Sequence, residues 1–253
     1  METSLSSEQI SFYRENGFLV IDPLLSVDEL TVWRTTLDEA INERITAQKT
    51  HNQDRGDNYY KYVFIQCVNM WKTNPKIRQL ALDPRIGEMA TDLTGTNGIR
   101  LFHDHALIKQ PWANPTNWHL DNPSDPYHTR QSTMFWLVLD DATIQNGCLY
   151  FLPGTNHSSR FEPVGGLGRE GVGQMFQQYP EWKQIDPYVA ETKAGAGIFI
   201  NGMVAHAAGP NMTTRPRRAF AMLLMPEGSI FNGRQSVLPE SYFNSLQIGD
   251  VLE

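Results

Sequence analysis

Apolar and polar positions follow two different periods along the chain, and the change falls near residue 99. Before it, helical spacing dominates. Leu30, Trp33, Leu37, Ile41 and Ile45 recur three or four positions apart, which lines them along one face of a helix. Ser26-Val27-Asp28-Glu29 opens that helix as a capping box. Its hydroxyl and the carboxylate three residues on each satisfy a backbone group that the first turn leaves unpaired. Ser6-Ser7-Glu8-Gln9 repeats the signal and predicts a short helix through Ile10 and Tyr13. Asn16-Gly17 should end it, and Phe18–Ile21 then reads as a strand. Asn74-Pro75 and Asp83-Pro84 each place a capping side chain before a proline suited to the first helical position, so two more helices are predicted, the second closed by Gly95. The segment from Gln66 to Trp71 is also read as helical.

From Ile99 onward, short apolar runs are split by Gly, Pro, Asn and Asp. Strands are predicted at Ile99–Lys109, Ser132–Leu139, Cys148–Leu152, Gly197–Ile200 and Ala219–Met225. Helices first and strands after predict an α+β fold whose catalytic body is a β-sandwich or barrel. A single domain over 1–253 is expected, helical to about residue 98 and barrel from about 99 to 230. Gly165–Pro187 is polar, glycine-rich and without a period, as in long surface excursions that cover sites.

Composition narrows the function classes. The 253 residues are 40% apolar and 11% aromatic, enough for a core that buries roughly three quarters of the unfolded surface. Lys and Arg number 21 against 28 Asp and Glu, a net charge of −7, which argues against nucleic-acid binding and leaves a small-molecule partner. No run of 18 apolar residues predicts a membrane span, and the first residues lack the basic start of a signal peptide. Cys67 and Cys148 sit in apolar runs as small core residues rather than as a disulfide framework. A soluble, cytoplasmic protein is expected. Nothing in the pattern specifies an oligomeric state.

The sharpest chemical feature is Trp118-His119-Leu120-Asp121. On an extended strand, residues i and i+2 point the same way, so His119 and Asp121 can take adjacent positions on a divalent ion. A second histidine would complete the two-His, one-carboxylate face of non-haem Fe(II) oxygenases, which leaves the opposite positions open. His206 is placed for this, after the apolar Gly197–Ile200 run and before Gly209-Pro210-Asn211, as a ligand at a strand edge. Arg217 comes just before an apolar strand. A guanidinium there is costly unless it meets an anion, and its planar fork suits a carboxylate. Arg218 is its rival, since consecutive strand residues face opposite sides and only one enters the barrel.

From about Leu101 to Met225 the chain resembles the phytanoyl-CoA dioxygenase family of Fe(II)/2-oxoglutarate oxygenases. The resemblance is carried by His119-Leu120-Asp121, by Asn146-Gly147-Cys148-Leu149 running on to Leu152-Pro153-Gly154-Thr155-Asn156-His157, and by His206 through Arg218. It implies a double-stranded β-helix, a jelly-roll or cupin-like barrel, with N-terminal helices packed on one face. It implies iron held by His119, Asp121 and His206, and Arg217 paired with the distal carboxylate of 2-oxoglutarate. Trp136 falls where the family sets a tryptophan against the cosubstrate, and Thr133 on the same strand adds a hydroxyl. With O2 as oxidant, the implied reaction hydroxylates an unactivated C–H bond while 2-oxoglutarate becomes succinate and CO2. Related halogenases carry a small residue in place of the carboxylate, so Asp121 points to hydroxylation. One departure stands out: a polar donor often follows the distal histidine by two positions, and here that position is Ala208.

Gln66, Asn69, Trp71, His105 and Lys109 are candidate substrate contacts. Each also has a plainer reading: Gln66, Asn69 and Trp71 as a half-buried helix face, Lys109 as a solvated strand end, and Trp136 as ordinary core. His103 and His105 form a second i, i+2 pair that could compete for metal. His128 and His157 read as loop or turn residues, and His51, in polar Gln48–Asp57, is given no role. Asp140-Asp141 reads as a solvated turn. Two other functions use the same residues: a silent ligand-binding barrel, and a metal hydrolase that activates water and needs no arginine anchor.

Overall fold

The computed structural model describes residues 4–47, 62–163 and 173–253. Within them four longer helices, α1 (Ser7–Asn16), α2 (Val27–Thr46), α3 (Pro75–Ala81) and α4 (Pro84–Thr94), precede most of the sheet structure. Their starts obey the predicted chemistry. The Ser6 and Ser26 hydroxyls accept from the backbone N–H of Gln9 and Glu29, whose side chains in turn accept from the serine N–H. Asn74 and Asp83 cap α3 and α4 ahead of their prolines. Gly17 and Gly95 end α1 and α4 with φ of 83° and 67°, a conformation that side chains resist. The apolar stripe of α2 is buried from Leu30 to Ile41, but Ile45 lies exposed.

Among the described residues, ten strands make two antiparallel sheets: β1 (Phe18–Ile21), β2 (Ile65–Val68), β3 (Ile99–Lys109), β4 (Thr116–His119), β5 (Thr133–Val138), β6 (Leu149–Phe151), β7 (Tyr188–Ala190), β8 (Gly197–Asn201), β9 (His206–Ala208) and β10 (Arg217–Pro226). The larger sheet runs β1-β8-β5-β10-β3-β2 and the smaller β4-β9-β6-β7. Three one-turn helices, α5 (Thr155–Ser158), α6 (Met175–Gln178) and α7 (Glu240–Phe243), lie in the connections and tail. No helix among the described residues is long and apolar enough to cross a membrane.

Strand periodicity sorts side chains into two cores. Phe135, Leu137, Phe199, Phe220 and Met222 pack on Trp33, Leu37 and Ile86 of the helical layer. Their neighbours Met134, Trp136, Ile198, Ala219 and Ala221 meet Leu149, Phe151 and Ala208 of the smaller sheet. The larger sheet is thus buried on both faces, and the space between the sheets holds the candidate site.

Three expectations need correction. The larger sheet takes both edge strands, β1 and β2, from the first hundred residues, so helices and strands are not cleanly separated along the chain. Gln66–Trp71 is not helical. It belongs to strand β2 through Val68, turns at Asn69 (φ 55°), and closes with a 3-10 turn at Met70–Lys72. Strand pairing with β3 overrides the weak local preference. The Gly165–Pro187 excursion does not cover the inter-sheet space over its described part. Met175, Tyr179 and Trp182 pack with Trp118, Leu120 and Leu152 instead, in a separate cluster. Residues 165–172 lie outside the described residues, as does His51.

One irregularity in β3 decides which of its side chains reach the inter-sheet space. Leu223 of β10 pairs with His103 and Leu224 with Leu101, leaving Phe102 as an extra residue. Such a bulge reverses the sidedness of the residues beyond it. Ile99 and Leu101 belong to the helical-layer core, and so, past Phe102, do Ala106 and Ile108, whereas Leu107 packs on the inter-sheet side.

Candidate active site

His119 ends β4 and His206 begins β9, and the two are paired directly across the smaller sheet. Their rings are 4.1 Å apart between centroids. Each Nδ1 donates to a backbone carbonyl two residues earlier, His119 to Asn117 O at 2.8 Å and His206 to Val204 O at 3.1 Å. With the proton fixed on Nδ1, each Nε2 keeps its lone pair for a cation. Asp121 completes the cluster, with Oδ1 3.5 Å from His119 Nε2 and Oδ2 3.7 Å from His206 Nε2. One ligand atom from each of the three lies within 4.8 Å of the others, and this is the one metal-competent group among the described residues. His103 and His105 form no competing group there.

The route to this convergence differs from the predicted one. The strand stops at His119, and Asp121 has φ −79° and ψ −56°, just ahead of a 3-10 turn at Asn122–Ser124. A turn, not strand alternation, delivers the carboxylate, while Leu120 joins the cluster around Trp118. Buried Asn122 anchors the turn: its N–H donates to Gly202 O, its Oδ1 accepts from Thr129 N–H, and its Nδ2 donates to Tyr127 O. The turn packs closely on Gly202, where a Cβ would lie 2.4 Å from Ser132 Oγ and 3.1 Å from Asn122 Cβ. His206 stands at the start of its strand, as expected, and β9 lies between β4 and β6.

The electrostatics suit a cation. Burial raises the pKa of Asp121, but His206 and His119 outweigh it and hold the carboxyl well below its usual range. Burial, together with His119, lowers His206 to about 4, so its imidazole is neutral and available near pH 7.

Arg217 begins β10 and is 3% exposed. Nη2 donates to Gly147 O at 3.1 Å, and the guanidinium carbon stands 5.0 Å from the centroid of the Trp136 ring. Nε and Nη1 have no hydrogen-bond partner. Burial lowers this arginine to about 10, leaving it cationic at neutral pH. Arg218 faces away and is engaged by Asp140 and Asp38. The acidic pair at 140–141 is therefore not a free turn, since Asp141 also binds Lys193 and the Ala194 N–H.

One cavity joins these parts. The three-residue cluster and Arg217 line it together with Phe64, Gln66, His105, Leu107, Thr116, Met134, Trp136 and Leu149. Of the expected contacts, Trp136, Gln66 and His105 are in its wall. Thr133 is not: its hydroxyl donates to Ile200 O. Lys109 is neither a pocket cation nor a solvated strand end. It is the register partner of Arg217, buried, with Nζ donating to Asn114 O at 2.7 Å, and burial with Arg217 beside it lowers it to about 6. Asn69 turns the chain, and Trp71 lines a separate groove with Phe102 and Tyr242. His128 stacks on Phe161, and His157 meets Glu15 O.

Sequence reasoning missed Thr116, the cross-strand partner of Ala208. A register shift between Thr116 and His119 brings both into the cavity wall although they are three apart. It also missed why Gly147 is glycine. Its φ is 92°, and a Cβ would lie 2.6 Å from Gly209 O and 2.7 Å from Lys109 Cδ. The Asn-Gly-Cys motif was the available signal.

A sequence profile of the phytanoyl-CoA dioxygenase (PhyH) family matches residues 13–219. A phytanoyl-CoA dioxygenase of Arabidopsis thaliana is 27% identical over 256 residues, covering 87% of this chain and 88% of the relative. The crystal structure of SnoK, a non-haem alpha-ketoglutarate-dependent carbocyclase from nogalamycin biosynthesis, is similar with a TM-score of 0.81 at 25% identity, over 98% of this chain and 94% of that one. EctD from S. alaskensis, crystallised with 2-oxoglutarate and 5-hydroxyectoine, shares the fold at a TM-score of 0.73 and 18% identity, over 98% and 86%. The chain belongs to the phytanoyl-CoA dioxygenase (PhyH) family.

Proposed function

We propose that this chain is an Fe(II)- and 2-oxoglutarate-dependent oxygenase that hydroxylates an unactivated C–H bond of a small metabolite in the cytoplasm. Its two sheets are read as the double-stranded β-helix of such enzymes. The observation that carries the reading is a buried arginine with two unsatisfied nitrogens sharing one cavity with a two-His, one-carboxylate cluster. Activation of water by a metal hydrolase does not require that guanidinium.

His119, Asp121 and His206 would hold iron through the two Nε2 atoms and the carboxylate, a donor set that favours Fe(II). Arg217 would take the distal carboxylate of 2-oxoglutarate on guanidinium N–H groups that its bond to Gly147 O leaves unused. Trp136 presses on the guanidinium and shields it from water, which strengthens the ion pair. Thr116 supplies the hydroxyl that Ala208 lacks. Iron, 2-oxoglutarate and O2 together supply an oxidant able to break a C–H bond, with release of succinate and CO2. The protein's part is to orient both substrates and keep water out.

Anaerobic addition of 2-oxoglutarate to the Fe(II) protein should produce a metal-to-ligand charge-transfer absorption band, and aerobic turnover should yield succinate. If no band forms and 2-oxoglutarate does not bind, the reading fails.

A further inference from the structure

The cavity has a wall that neither iron nor 2-oxoglutarate accounts for. Gln66 of β2 and His105 of β3 lie on adjacent strands, with Gln66 opposite Leu107 and Val68 opposite His105. The Gln66 amide Nε2 donates to His105 Nδ1 at 2.8 Å. An imidazole that accepts at Nδ1 carries its proton on Nε2, so His105 is a hydrogen-bond donor through that atom. Both residues line the cavity that contains the metal cluster.

This pair is built rather than incidental. The Phe102 bulge turns His105 away from the helical layer, while its neighbour Asp104 is held on that layer by the Met70 and Trp71 N–H groups. Beyond the three metal donors and Arg217, the cavity wall among the described residues is otherwise neutral, with Phe64, Leu107, Met134 and Leu149 as its apolar part. An unpaired charge brought there would lose its hydration without compensation.

Resting on the oxygenase reading, we propose that the Gln66–His105 pair orients the substrate. The reacting part of that substrate is uncharged and carries an oxygen acceptor, a carbonyl or hydroxyl, close to the carbon that is oxidised. His105 supplies the hydrogen bond, and Gln66 acts as a positioning residue by fixing the tautomer that donates. An acyl chain without such an oxygen would gain nothing from the donor.

Three probes with one carbon skeleton test this: 1-tetralone, 1-tetralol and tetralin, with butyryl-CoA as the charged comparison. Binding is measured by anaerobic calorimetry on the Fe(II)- and 2-oxoglutarate-loaded protein, and by ligand-observed NMR on the metal-free protein. The ketone and the alcohol are expected to bind at least about tenfold more tightly than the hydrocarbon. His105→Phe should erase that preference while tetralin affinity stays unchanged, which shows that the cavity is intact. Gln66→Met should weaken the preference, and His105→Asn, which restores a donor, should recover part of it. Equal binding of the three probes, binding of none, a preference that survives His105→Phe, or tighter binding of butyryl-CoA would each overturn the proposal. Failure of the oxygenase reading appears separately, as no 2-oxoglutarate binding to the Fe(II) protein, and the NMR arm still reports the donor preference.

Discussion

The two faces of the six-stranded sheet are made by the same strands yet end in opposite states. Toward the helices, the charged groups are matched: Asp104 receives two backbone N–H groups, and Arg218 is clasped by Asp140 and Asp38. Toward the smaller sheet, Arg217 keeps two nitrogens without hydrogen-bond partners, and across the space Asp121 Oδ2 makes no hydrogen bond and stands 3.7 Å from His206 Nε2. Arg217 and Arg218 are consecutive, so composition and local propensity cannot account for the contrast. Buried polar atoms in native proteins are nearly always paired, and a face on which they are not is one prepared for ligands. One side of the sheet spends its polar groups on stability and the other withholds them.

That contrast can be broken by substitution. The largest effect is expected from His119→Ala or Asp121→Ala, either of which should abolish iron retention on metal analysis and with it all succinate formation. Arg217→Ala should come next, raising KM for 2-oxoglutarate by about 100-fold through loss of charge-assisted hydrogen bonds. Arg218→Ala should do the reverse, lowering unfolding stability by about 1–2 kcal/mol in urea titrations while leaving that KM within about threefold. If the two variants behave alike, the two-face account is wrong. Gly147→Ala should show a smaller version of the Arg217 defect, because a side chain at φ 92° costs about 1–3 kcal/mol and shifts the carbonyl that holds Nη2.

Lys109→Met sharpens the comparison with the least effect on turnover. Lys109 titrates near 6 when folded, against about 10.4 in an unfolded chain. Between those values the unfolded chain binds the extra proton, so stability should rise with pH by about 1.4 kcal/mol per unit and level off below the folded value. Unfolding measured at pH 7 and pH 9 should show that slope in the parent and lose it in the variant.

Much of this was legible from residue order. The bounds of β3 and β1, the capped starts of all four longer helices and the glycines that end α1 and α4 arise from local chemistry that tertiary contacts do not override. His119, Asp121, His206 and Arg217 could be named because their types are rare and costly in apolar surroundings. What escaped was sidedness. The shifts at Phe102 and between Thr116 and His119 are properties of strand pairs, invisible in either strand alone. For that reason Thr116 was overlooked, Asp121 was placed on a strand, and Thr133, which spends its hydroxyl on Ile200, was expected to face the cosubstrate. The short β4, β7 and β9 have too few residues to show a period, and β2 resembled a helix until β3 was beside it.

The extra residue at Phe102 gives the protein a single point at which pocket chemistry can be exchanged wholesale. Drawing Phe102 into the ladder would slide the rest of β3 one step along β10, sending the imidazole of His105 toward the helices and delivering the acid of Asp104 to the chamber in its place. A donor wall would become an acidic one with no change of fold and no new side chain. Keeping Phe102 out of the ladder is thus a register lock that keeps this wall a hydrogen-bond donor.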